Sequence, residues 1–208
     1  MLVGFHGKLG SGKDTAAGRL AGMVDAPSEH HSFARKLKQS AAALWGVEPS
    51  LWETLKNDPE ARVLLVTDSF VDSDGYETGN VLADFTIREH LQRYGTESHR
   101  MVFDTDFWVD AALDYDFEAG TLYLFTDVRF TNEAQAIRRF PTLPGVIVRV
   151  LGDLNETGIH ASEVPLADGL VDFVLENHVR DDDFRHLDAQ LRSLAETLHL
   201  PLLQGVTG

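Results

Sequence analysis

Seven residues near the start of the chain, Gly7-Lys8-Leu9-Gly10-Ser11-Gly12-Lys13, have the spacing G-x-x-x-x-G-K. That spacing suits one chemistry. Backbone N–H groups must converge on phosphate oxygens, and glycines let a chain curl tightly enough to aim them. Lys13 then reaches the outer phosphates, and a helix starting there adds the positive end of its dipole. A plain glycine-rich turn with an exposed lysine is the simpler alternative. A dinucleotide fingerprint through Gly10-x-Gly12 fails, because it needs Gly or Ala where the chain has Thr15, and it has no use for Lys13. The loop departs from the common pattern after Lys13, where Ser or Thr would offer a hydroxyl to Mg²⁺. Asp14 stands there, with Thr15 behind it. A carboxylate is also a hard oxygen ligand, so the change is compatible with Mg²⁺.

The elements around the loop must place it. Leu2 to His6 is a short apolar run ending in Gly, which predicts a buried strand feeding a turn. Asp14 to Met23 predicts a helix, with Ala16, Ala17, Leu20 and Met23 on one face. His30–Phe33 is expected to be a second strand and Leu37–Trp45 a helix. Between Asp58 and Asp84 two readings stay open. The turn signal Asp72-Ser73-Asp74-Gly75 permits a hairpin of Val63–Val71 with Val81–Phe85, and a helix to Val66 followed by a loop is the other. Thr86-Ile87-Arg88-Glu89 fits a capping box opening a helix to about Tyr94, which Gly95 should stop. Trp108–Tyr115 is expected to be helical. Thr121–Thr126 is β-rich, apolar on both faces and ends at Asp127. A helix at Asn132–Phe140, a strand at Val146–Val150, a polar loop at Gly152–Pro165, a strand at Phe173–Leu175 and a helix at Asp181–Leu198 complete the chain. Strands alternating with helices, and apolar on both faces, imply a parallel sheet covered on each side.

The chain has 208 residues, enough for one domain with a small insertion. Eighteen basic residues against thirty-three acidic ones give a formal net charge of -15. Gripping DNA or RNA needs clustered Lys and Arg, so stable nucleic-acid binding is not expected, whereas a small anion in a local basic pocket is. With no Cys, a disulfide scaffold, a Cys-based zinc site and thiol catalysis are excluded. The nine His show no H-x-x-x-H spacing, so a zinc site is not expected either. No apolar run nears the ~20 residues of a membrane span, and the start lacks a signal-peptide pattern. The expectation is a soluble, cytoplasmic protein without membrane contact.

Taken together, the motifs resemble those of bacteriophage deoxynucleoside monophosphate kinases, of the P-loop nucleoside monophosphate kinase family. The Gly-Lys-Asp-Thr ending of the loop is similar to theirs. Ser32-Phe33-Ala34-Arg35-Lys36-Leu37-Lys38 resembles their second strand and following helix. Arg88-Glu89-His90-Leu91-Gln92-Arg93-Tyr94-Gly95-Thr96, with Arg100 and Trp108, resembles their monophosphate-binding segment. Asp127-Val128-Arg129-Phe130-Thr131-Asn132-Glu133 resembles the turn after their Walker B strand, and His160-Ala161-Ser162-Glu163 a later segment. Glu48–Asp84 and the C-terminal helix lie outside the resemblance.

The resemblance implies a single three-layer α/β/α P-loop kinase domain over residues 1–208, with a five-stranded parallel sheet. A monophosphate-binding segment is expected at about 46–115 and a lid at 152–165. The implied activity is ATP-dependent phosphorylation of a deoxynucleoside monophosphate, with Mg²⁺. A homodimer is compatible with it, and a phage origin would mean the host cytoplasm. Gly7, Lys8, Gly10, Ser11, Gly12, Lys13, Asp14 and Thr15 would bind the ATP phosphates. Lys13, Asp127 and Arg129 would be catalytic, with Asp14 and Asp127 near the metal. Lys38, Arg88, Gln92, Gly95, Thr96, Arg100 and Trp108 would hold the acceptor. The side-chain chemistry agrees, since Arg is a planar bidentate donor for phosphate and an Asp closing an apolar strand suits Mg²⁺ or its water. Plainer readings stand beside these: solvated arginines, a turn-forming Asp127, a core Trp108, and surface roles for Lys8, Lys38 and His160. Three alternatives in function stay open: a kinase for another small acceptor such as dephospho-coenzyme A or a mevalonate phosphate, a DNA-base kinase, or a non-catalytic nucleotide switch.

Overall fold

The computed structural model describes residues 1–56, 58–71, 73–75, 77–152, 165–177 and 183–203. They form two compact units, Met1–Phe33 with Val109–Gly208, and Ala34–Trp108.

In the first unit, β1 (Leu2–His6), β2 (Ser28–His31), β5 (Leu122–Phe125), β6 (Gly145–Gly152) and β7 (Phe173–Asn177) build one sheet in the order β2-β5-β1-β6-β7. Every pairing in it is parallel. β1 and β5 are buried at every position, as a strand covered on both faces must be. Alternate residues therefore feed two cores. Val3, Phe5, Leu122, Leu124, Val148 and Val150 point to one side, where α1 (Lys13–Met23) and α7 (Arg185–Thr197) supply Leu20, Leu187 and Leu191. Leu2, Tyr123, Phe125 and Ile147 point to the other, against Ala134 and Ile137 of α6 (Thr131–Arg138) and Val109 of α5 (Phe107–Leu113). Helices on both faces of a five-stranded parallel sheet make the three-layer α/β/α fold expected of a P-loop kinase.

β2 lies two residues earlier than the sequence predicts. Ser28–His31 pairs with Leu122–Phe125, while the Ser32 hydroxyl and Phe33 N–H both turn to the Asp127 carboxylate and so leave the ladder. The terminal helix α7 begins at Arg185, because Asp183 and Phe184 take left-handed backbone angles (φ 52° and 67°). Residues 181 and 182, where the sequence places the helix start, are outside the described residues. Among the described residues no helix is long and apolar enough to cross a membrane.

The second unit contains α2 (Ala34–Leu44), α3 (Pro49–Leu55), the antiparallel hairpin β3 (Arg62–Val71) and β4 (Glu77–Thr86), and α4 (Ile87–Gly95). Of the two open readings for 58–84, the hairpin is the one found. Proline at the first turn of α3 supplies a helix start that apolar periodicity alone did not signal. Ala42, Trp52, Val63 and Ile87 form the core of this unit. The Thr86–Glu89 capping box is complete: the Thr86 hydroxyl accepts from Glu89 N–H, and the Glu89 carboxylate accepts from Thr86 N–H. Gly95 does not stop the helix. Its angles are helical (φ -72°, ψ -42°), and the chain runs on into a wider π-helical turn, Thr96–Arg100. Glycine leaves room there for the tip of Leu37, whose Cδ1 would lie 2.3 Å from a Cβ.

Candidate functional site

The glycine-rich loop leaves the end of β1 and enters α1 directly. Gly10 and Gly12 have φ of 75° and 89°, the left-handed region where a side chain is strained. Gly7 is held by space instead, because a Cβ would come within 2.4 Å of the Val150 carbonyl oxygen. Lys13 folds back over the loop, donating to the carbonyls of Gly7 (2.9 Å) and Lys8 (2.7 Å). The Lys8 carbonyl also accepts from Ser11 N–H at 3.2 Å, closing a tight turn. The Lys8 and Asp14 side chains are exposed, Thr15 is half-buried, and Ser11 is buried with no partner for its hydroxyl among the described residues.

Two strand ends support the loop from behind. Gly152 and Asn177 are register partners at the ends of β6 and β7. A Cβ at Gly152 would lie 2.7 Å from Ser11 Cα. The Asn177 amide donates to the Ser11 carbonyl at 3.0 Å.

Asp127 and Arg129 follow β5, which pairs with β1 so that Gly4 lies beside Phe125. Because the strands are parallel, the turn after β5 opens at the same sheet edge as the loop, the edge where ligands bind in open α/β sheets. Both Asp127 oxygens are engaged, one by Ser32 Oγ (2.6 Å) and one by Phe33 N–H (3.0 Å). Buried Glu133 orders the next step by accepting the Arg129 and Phe130 backbone N–H groups at 2.8 and 3.0 Å. That aims the turn and caps α6, with Arg129 half-buried within it.

His6 joins these pieces. Its Nδ1 donates to the Val128 carbonyl at 3.1 Å, and its Nε2 accepts from Leu166 N–H at 3.2 Å. Burial lowers its pKa; the Val128 bond works against that, and Arg149 and Lys13 add to it. Arg149 lies beside His6 in register and donates to the Leu166 carbonyl and to Asp168. Leu166 is therefore fixed through both its N–H and its C=O.

In the second unit, Arg88, Gln92 and Thr96 recur at four-residue spacing on one face of α4 and its π-helical continuation. All three are partly exposed. A π-turn inside a helix is frequently a functional feature. Arg100 donates to the Thr105 carbonyl at 3.3 Å. Lys38 forms an ion pair with Glu53, which Lys56 shares. Burial raises the Glu53 pKa, but the bonds from the two lysines outweigh it and the net direction is down. Trp108 is 3% exposed, and its indole N–H donates to the Gly95 carbonyl at 3.0 Å, the arrangement of the plainer core reading. The lid expected at 152–165, and His160 with it, lies outside the described residues apart from its end positions.

Sequence reasoning missed His6, Asn177 and Glu133. His6 and Asn177 are polar residues buried at the ends of strands, and Glu133 is buried in the first turn of α6. That pattern is a signal, because burying a polar group is costly unless a partner waits for it.

No family model matches the chain, and no curated protein matches it at a significant level. Among solved structures it is similar to a shikimate kinase from Bacteroides thetaiotaomicron, at 13% identity and a TM-score of 0.38, covering 96% of this chain and 99% of that one. It is also similar to a sugar kinase from Janibacter sp. HTCC2649, at 12% identity and a TM-score of 0.41, covering 96% and 94%.

Among the described residues no group of three or more His, Asp or Glu gathers as a metal cage. Mg²⁺ does not require one, since it is commonly held by one or two carboxylates plus substrate phosphates and water. Asp14 at the helix start and Asp127 at the strand end are donors of that kind. Ser32 and Phe33 hold the Asp127 carboxylate in place at that strand end.

Proposed function

We propose that the protein transfers the γ-phosphoryl group of ATP to a deoxynucleoside monophosphate, giving the diphosphate and ADP. One observation carries the phosphotransfer reading. It is a curled glycine loop with Lys13 laid over it, opening at the same sheet edge as Asp127 and Arg129. The deoxynucleotide acceptor is supported by the motif series in its family order: the Arg88–Thr96 run with Arg100, and the Asp127–Glu133 turn.

An oxygen of the acceptor phosphate attacks the γ-phosphorus in line, and the bond to the β–γ bridging oxygen breaks. That attacking oxygen is already anionic, so no general base is required. The protein's task is position and charge. Loop N–H groups and the start of α1 hold the β- and γ-phosphates. Lys13 neutralises charge that moves toward the leaving oxygen. Arg129 contributes a planar fork to the transferred group, while Arg88 and Arg100 hold the acceptor phosphate. Asp14 and Asp127 are the residues that would hold Mg²⁺, which supplies further neutralisation when bound.

The test is ATP consumption measured across dAMP, dGMP, dCMP, dTMP and base-modified monophosphates, with folded Lys13→Ala as control. Acceptor-dependent ADP production that is nearly lost in Lys13→Ala is the expected result. Consumption only with a non-nucleotide acceptor would move the substrate assignment. Slow turnover with no acceptor dependence would indicate a nucleotide switch, and full activity of Lys13→Ala would overturn the loop assignment.

A further inference from the structure

The phosphate loop is shaped from outside as well as by its own glycines. The Asn177 side chain is buried, at 5% exposure, at the C-terminal end of β7. Its Nδ2 donates to the Ser11 carbonyl at 3.0 Å, across a separation of 166 residues. The neighbouring Gly12 has no room for anything else, since a Cβ there would lie 2.0 Å from that nitrogen. Gly152, the register partner of Asn177, closes on Ser11 from the adjacent strand. The Ser11 hydroxyl and the Asn177 carbonyl oxygen are buried with no hydrogen-bond partner among the described residues. Two buried polar atoms left unmade at one contact are costly, so the amide is not placed there for stability alone.

We propose that Asn177 is a positioning residue for the phosphate loop, setting the orientation of the Ser11–Gly12 peptide; this rests on the phosphotransfer reading above. The physical link is peptide planarity. In a trans peptide the C=O and the following N–H point in opposite directions. An amide that draws the Ser11 carbonyl toward the end of β7 therefore turns the Gly12 N–H away from it, to the side open to a bound anion. The donor must be neutral. An aspartate of the same shape would set acceptor against acceptor, and would add a negative charge beside the phosphates. Asn at the end of a strand has its backbone fixed by the ladder, so its amide meets the loop without further ordering.

The experiment measures the affinity of wild type, Asn177→Ala, Asn177→Ser and Asn177→Asp for Mg-ATP, Mg-ADP and AMP, together with KM for ATP and for the acceptor. Near-ultraviolet circular dichroism checks the fold of each. Loss of the donor should weaken ATP about tenfold in the alanine variant, the scale of one hydrogen bond. The loss should be larger in the aspartate variant and partly recovered in the serine variant, which keeps a donor of shorter reach. It should grow with the number of phosphates and leave AMP affinity and the acceptor KM unchanged. Equal losses for ATP, ADP and AMP, or wild-type ATP affinity in folded Asn177→Ala, would overturn the proposal while Lys13→Ala still fails to bind ATP. Absence of ATP binding by wild type would instead overturn the phosphate-loop reading, and this inference with it. Should the aspartate variant not fold, the alanine and serine pair carries the same comparison.

Discussion

Asp14 is the single side chain at which the loop leaves the common pattern, and it is exposed in the first turn of α1. A carboxylate beside a triphosphate is tolerable only with a cation between them. ATP affinity should therefore depend on Mg²⁺ more steeply in the wild type than in Asp14→Asn. Asp14→Ser should retain more activity than Asp14→Ala, because its hydroxyl restores an oxygen ligand. Titrating ATP with and without Mg²⁺ across these variants checks both statements. If wild type and Asp14→Ala show the same metal dependence, Asp14 serves only the helix dipole, worth about 0.3–1 kcal/mol. Glu133 illustrates the complementary use of a carboxylate. It is buried and accepts the Arg129 and Phe130 backbone N–H groups, aiming the turn that carries Arg129.

Among whole elements, close approach is set by glycines whose missing side chains matter in different ways. A Cβ on Gly145, at the start of β6, would lie 1.9 Å from the Ile137 carbonyl oxygen of α6, which is backbone. A Cβ on Gly95 would instead meet the tip of Leu37, which can rotate. Gly145→Ala should thus destabilise the first unit at or beyond the upper end of the ~1–3 kcal/mol typical of overpacking. Gly95→Ala should fall at the lower end and be partly rescued by Leu37→Ala. Urea unfolding of the three variants measures this, and equal losses at the two glycines would contradict it. The same reasoning explains why α4 runs through Gly95. The residue is selected by a crowded contact between α4 and α2, and its turn-forming tendency is not used.

Across the whole molecule, acid acts on both units in the same direction. His6 in one unit and His90 in the other have pKa values lowered by burial. Each accepts a hydrogen bond in the neutral form, His6 from Leu166 N–H and His90 from Trp45 Nε1–H at 3.1 Å. A histidine with a depressed folded-state pKa contributes stability that is fully present above the unfolded value of about 6.5 and is lost as pH falls through the folded value. The net charge of -15 has the opposite tendency, since carboxylate protonation relieves repulsion. The informative quantity is therefore the stability difference between wild type and His6→Gln or His90→Gln. That difference should be larger at pH about 7.5 than at about 5. All three Trp, at 45, 52 and 108, lie in the second unit. Tryptophan fluorescence thus follows the His90 variant during urea unfolding, and far-ultraviolet circular dichroism follows the His6 variant. A difference independent of pH would count against the buried neutral state.

The phosphate loop, the strands on either side of it and the capping box of α4 were legible in the sequence, because each is decided locally. Glycine spacing sets loop curvature, an unbroken apolar run marks a strand covered on both faces, and Thr86 with Glu89 closes its own hydrogen bonds. The Asp72–Gly75 turn signal likewise announced the hairpin, though it could not exclude a helix, since short apolar runs suit both periods. Tertiary structure alone decided the rest. The contact of Asn177 with Ser11 spans 166 residues. The link between His6 and Leu166 spans 160 residues, and that between Asp127 and Ser32 spans 95. No local pattern encodes such pairs, because a buried polar side chain takes its partner from whichever element the sheet order brings alongside. Trp108 follows the same logic: its residue type suits a base or a core equally, and only the packing around Gly95 chose the core.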